Sequence, residues 1–138
     1  MATEIGEYWQ DIAVKLIERY EIAFEHIELD KVLFLSENEK SPKKYADTRL
    51  VKFPFDFLTD YKYIITFYEN NIQAMTDAQK IILVFHELLH IDESFEKLRR
   101  HNIEDFRELI MKFGAAWDID PNLPNILDED YEDNDSEW

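Results

Sequence analysis

From Ile5 to Phe24 the apolar side chains Ile5, Tyr8, Trp9, Ile12, Leu16, Ile17, Tyr20 and Phe24 return every three or four residues, with Glu, Lys and Arg between them. That spacing lines one face of a helix, so a long amphipathic first helix is predicted. Between Lys31 and Ser36 the run Val32-Leu33-Phe34-Leu35 is too short for a helix and reads as a buried strand. Ser36 to Lys44 is polar, contains Pro42, and reads as a loop. Two more runs, Arg49 to Phe53 and Tyr61 to Tyr68, are rich in aromatic and β-branched residues and predict strands. Pro54 makes the segment between them a loop or a sheet edge.

Thr76 followed by Gln79 has the form of a capping box, in which each side chain satisfies a backbone donor at a helix start. The apolar run Ile81 to Phe85 comes next, so a helix is expected from this cap to about Ile91. Asn102 is placed to cap a third helix carrying Phe106, Leu109, Ile110 and Phe113 on one face and ending at Gly114. Three strands among three helices predict an α+β domain built on a small three-stranded sheet. Its expected extent is residues 1–117. Residues 118–138, with Pro121, Pro124 and an acidic run from Asp128 to Glu137, are expected to be a disordered tail.

Length and charge narrow this picture. A chain of 138 residues suits one domain, and 46% hydrophobic content is enough for a core. The formal charge is −16, with 31 acidic against 15 basic residues. A surface so negative repels phosphate backbones and anionic lipid, so neither direct nucleic-acid binding nor a membrane role is expected. Nine of the acids fall between Asp118 and Trp138, where Lys and Arg are absent. The acidic tail is a possible docking element for a basic protein partner, or simply a solubilising segment. Lys43, Lys44 and Arg49 are too sparse a basic group to hold phosphate. No signal-like segment opens the chain and no apolar stretch approaches the length of a membrane span, so a cytoplasmic location is expected. With no cysteine, any bound metal must rest on imidazole and carboxylate.

The chemistry concentrates in His86-Glu87-Leu88-Leu89-His90, an HExxH motif inside the capped helix. Residues four apart share a helix face, so His86 and His90 can direct their rings at one ion about 2.0–2.1 Å from each nitrogen. Glu87 is turned by about 100° from His86, which suits a group that contacts water on the ion rather than the ion itself. Leu88 and Leu89 are left for the core. Catalytic zinc sites usually take three protein ligands, and His101 is the candidate for the third. Asp92, Glu93, Glu96 and Asp105 are alternatives, as ligands or as groups orienting the imidazoles. His26 reads as a surface or capping residue, and Trp9 and Trp117 as packing.

The segment HELLHIDESFEKLRRHNIEDF resembles the phage and prokaryotic metallopeptidases, a zincin-like family. The likeness rests on Tyr63 and Ile65, the motif His86 to Ile91, Phe95, and Leu98, Arg99 and His101. It extends over Val32 to Trp117. It implies His101 as third zinc ligand and Glu87 as the catalytic residue.

The expected function is therefore zinc-dependent hydrolysis of peptide bonds in a peptide or protein substrate. The cofactor is Zn²⁺, and Glu87 activates a water on it. Strand Tyr61 to Tyr68 is the expected place for edge pairing with an extended peptide, and Tyr61 or Tyr63 a candidate oxyanion donor. Two other classes fit the composition: a catalytically silent zincin-like binding module, and an acidic protein that mimics DNA. A strong zinc chelator separates them, since it destroys only the hydrolytic activity.

Overall fold

The structure is a computed structural model that describes residues 3–39, 43–100, 117 and 125–127. Among these the chain is α+β, with a mixed four-stranded sheet. Strand β1 (Thr3–Ile5) precedes helices α1 (Glu7–Arg19) and α2 (Glu21–Phe24), followed by β2 (Val32–Glu37), β3 (Ala46–Leu50) and β4 (Tyr63–Tyr68). Helices α3 (Glu69–Ile72) and α4 (Asp77–Leu89) come after the sheet. The strand order is β1-β2-β4-β3. β2 and β4 run parallel, while β1 and β3 flank them antiparallel.

The expected three-stranded sheet is thus corrected to four. β1 is only three residues long, too short for alternation to register, and its Ile5 is 60% exposed. The long first helix is also divided. Gly6 carries the chain out of β1 with its N–H on the Phe34 carbonyl at 2.8 Å. A Cβ there would lie 3.1 Å from Trp9 Cδ1 and 3.4 Å from the Leu35 backbone carbonyl carbon, so a residue without a side chain suits this approach. Tyr20, at φ −116° and ψ 53°, separates α1 from α2. Leu16, Tyr20 and Phe24 nonetheless stay buried four residues apart, which is why the periodicity ran through the break.

β3 begins earlier than the pattern indicated, at Ala46 rather than Arg49. Asp47 Oδ2 finds partners outside the strand, accepting from the Tyr68 hydroxyl at 2.7 Å and pairing with Lys44 at 2.9 Å. After Val51, whose N–H bonds the Lys62 carbonyl, the chain turns at Lys52, leaving Phe53 85% exposed.

Val32, Phe34, Tyr63, Ile65 and Phe67 alternate along β2 and β4 on one buried face. Thr48 of β3 is in register with Ile65 and shares that face. Helices α1 and α4 supply much of the rest of the core: Trp9 stacks on Phe67 with centroids 4.2 Å apart, and Phe85 meets both Tyr20 and Phe24 edge-on. The capping box at the start of α4 is formed, Thr76 Oγ1 accepting from Gln79 N–H and Gln79 Oε1 from Thr76 N–H. Such a cap contributes about 1 kcal/mol. From Ile81 to Phe85 and again at Leu88 and Leu89 the helix is buried on every side, each large side chain contributing roughly 1.5–3 kcal/mol. α4 is therefore a rigid platform for whatever it carries at its C-terminal end.

The third predicted helix, His101 and most of the segment expected to be a tail lie outside the described residues; within that segment Ile126 is buried in the core, as is Trp117 at the expected boundary. Among the described residues no helix is long and apolar enough to cross a membrane.

Candidate metal centre

His86, Glu87 and His90 occupy the last turn and cap of α4. Their ligand atoms, one from each side chain, all lie within 4.8 Å of one another. The two imidazoles are 5.2 Å apart between centroids and inclined at 64°, on the shared face that four-residue spacing dictates. His86 Nε2 stands 3.9 Å from Glu87 Oε2. Two borderline nitrogen donors and a carboxylate are a donor set that suits a divalent first-row cation.

The His90 ring is oriented by the segment that follows it. Its Nδ1 lies 3.0 Å from the Arg99 carbonyl, to which it donates, so its Nε2 carries the lone pair available to a cation. Arg99 N–H in turn reaches the His90 carbonyl, and Ile91 and Leu98 form an isolated antiparallel bridge. Residues 97–100 are thereby tied alongside the end of α4. His86 lies against the buried Trp117, with centroids 6.2 Å apart, so Trp117 packs as expected but does so at the histidine pair.

Glu87 is only 3% exposed, and Thr48 Oγ1 sits 2.9 Å from its Oε1 and 3.2 Å from its own backbone carbonyl. Thr48 was not singled out from the sequence; only the register of β3 against β4 aims it at α4, and no local motif signals it. Burial pushes the Glu87 carboxyl up from 4.5 to about 7, partly opposed by His86 and by the Thr48 hydroxyl. A carboxyl that binds its proton more tightly folded than unfolded stabilises the fold fully below pH 4.5, and this contribution is lost as pH rises towards 7. The loss amounts to about 3 kcal/mol. In metal-free protein, Glu87→Gln is accordingly expected to raise stability at pH 8 by about that much and to leave it nearly unchanged at pH 4. Urea denaturation at the two pH values measures this, and equal effects at both would refute it.

Other expectations fare differently. β4 lies between β2 and β3, so it has no open edge for a peptide; the outer strand beside the site is β3. The Tyr63 hydroxyl donates to the Lys97 carbonyl at 2.7 Å and its ring is fully buried, which makes it a packing residue rather than an oxyanion donor. Tyr61 is 37% exposed and lines a separate groove with Lys52 and Asp60. Asp92 accepts from Ser94, and neither it nor Glu93 nor Glu96 joins the donor cluster; Asp105 lies outside the described residues. His26 Nε2 meets the Ile91 carbonyl at 3.0 Å, pinning the end of α2 to the end of α4, a structural role consistent with its reading as a capping residue.

No curated protein and no solved structure matches the chain. A family model does, that of the family described as "Putative phage metallopeptidase", over residues 2–129. With residues 2–129 matched, nearly the whole chain, this protein belongs to the family described as "Putative phage metallopeptidase".

Proposed function

We propose that the chain is a zinc metallopeptidase, with His86, His90 and His101 as the metal ligands and Glu87 as the general base. One observation carries the reading: the donor atoms of His86, Glu87 and His90 converge within 4.8 Å while the Arg99 carbonyl occupies the other nitrogen of His90. His101, two positions after Arg99 in the sequence, enters as the third ligand on the family resemblance of the segment His86 to Phe106. When bound, zinc polarises the scissile carbonyl and makes the attacking water acidic.

The protein's own groups do the rest. Glu87 takes a proton from the attacking water and delivers it to the departing amine. The Thr48 hydroxyl holds the carboxylate oxygen Oε1 in place, leaving Oε2, on the side of His86, to handle the proton. The Arg99 carbonyl keeps the His90 ring from turning. Substrates are peptides or proteins.

Elemental analysis of the purified protein is expected to find about one zinc per chain. A strong chelator is expected to abolish hydrolysis of a denatured-protein substrate, and added zinc to restore it. Hydrolysis indifferent to chelation would remove the metal from the reaction, whereas no hydrolysis by the zinc-loaded protein would return the chain to the class of binding or DNA-mimicking proteins.

A further inference from the structure

Beside the histidine pair a groove of about 530 Å³ runs between β3 and residues 97–100. Thr48 and His90 form part of its wall, and Lys52, Lys97, Arg99 and Arg100 surround it. No Asp or Glu is among the described residues that line it. In a chain with 15 basic residues and a net charge of −16, four cations among the described residues around one groove are a local concentration of positive charge.

Main-chain bonds hold this basic segment in position. The Lys97 carbonyl receives both the Tyr63 hydroxyl and the Asp92 N–H, and the Arg99 N–H is tied to the His90 carbonyl. The backbone that carries Lys97, Arg99 and Arg100 is therefore held beside the end of α4 and beside His90 of the candidate metal centre.

The acidity of the rest of the surface opposes an acidic ligand only weakly at this range. At physiological ionic strength exposed charges farther than about 8 Å are largely screened, so the cations that line the groove weigh more on a ligand in it than the acidic residues elsewhere on the surface. The exposed Arg100 can bind a carboxylate through two parallel N–H donors, and the exposed Lys97 adds a point charge beside it.

We propose that this groove selects peptides bearing Asp or Glu next to the bond presented to His86, Glu87 and His90, a statement of substrate class that rests on the hydrolytic reading above. Two measurements separate the two ideas. Fluorescein-labelled decapeptides, identical except for Glu, Gln or Lys on either side of the central bond, are titrated into the zinc-containing Glu87→Gln protein and followed by anisotropy. The same peptides are offered to wild type for hydrolysis.

The Glu peptide is expected to bind at least about tenfold more tightly than the Lys peptide, with the gap closing at high salt. The Lys97→Glu/Arg100→Glu variant, changed at two exposed positions, is expected to reverse the preference, and Lys97→Gln/Arg100→Gln to flatten it. Equal binding of the three peptides, or tighter binding of a single-stranded DNA oligonucleotide than of the Glu peptide, overturns the proposal. Hydrolysis without charge preference also overturns it while leaving the peptidase reading intact. Charge-selective binding with no hydrolysis supports the groove and sinks the peptidase reading instead.

Discussion

Glu87→Gln is expected to keep zinc at its wild-type content while lowering peptide hydrolysis by about 10²–10⁴-fold, the usual worth of a positioned general base. The amide is nearly the same size as the carboxylate and can still accept from Thr48 through its carbonyl oxygen, so the end of α4 keeps its packing. What it cannot do is take a proton. Because the same substitution removes a buried carboxylate, the variant is expected to be no less stable than wild type, which separates a chemical defect from a folding one. Equal rates for wild type and variant on a shared substrate would take Glu87 out of the mechanism.

The second large effect is on the metal. His90→Ala deletes one of two imidazoles that the helix aligns, and it releases the Arg99 carbonyl from the ring that donates to it. Disturbing only an outer partner of a ligand typically weakens metal binding about 10–100-fold, so loss of the ligand itself is expected to exceed that and leave the purified variant essentially without zinc. Elemental analysis of both proteins, with circular dichroism to show that α4 is retained, measures it. Zinc content unchanged in the folded variant would show that the cation sits elsewhere.

Thr48 and Arg99 show how the site is assembled from distant parts of the chain. Thr48 belongs to an outer strand 39 positions before Glu87, and Arg99 offers only its main chain to His90. Neither contribution has a local signature. A threonine in a strand is ordinary, and a backbone carbonyl carries no information about its residue type. The HExxH spacing, by contrast, is a helix-face rule and needs only the helix, which the Thr76–Gln79 capping box and the apolar run after it announced.

The same division runs through the fold. Strong local patterns located β2, β4 and α4 to within about two residues, because alternation and helical spacing report directly on which side chains must be buried. β1 and the early start of β3 escaped, since partners far along the chain decide them, Leu35 to Glu37 for β1 and Tyr68 for Asp47 of β3, and the break at Tyr20 escaped because Leu16, Tyr20 and Phe24 stay buried at helical spacing across it.

The amino-acid order alone determined an α+β chain with an HExxH motif on a capped helix, because periodicity and spacing are properties of neighbouring residues. Only the tertiary structure decided that β3 rather than β4 borders the site, that Thr48 reaches Glu87, and that Lys52 joins Lys97, Arg99 and Arg100 around one groove. Strand order and the meeting of residues some 45 positions apart arise from the packing of the whole core, which no short window of sequence contains.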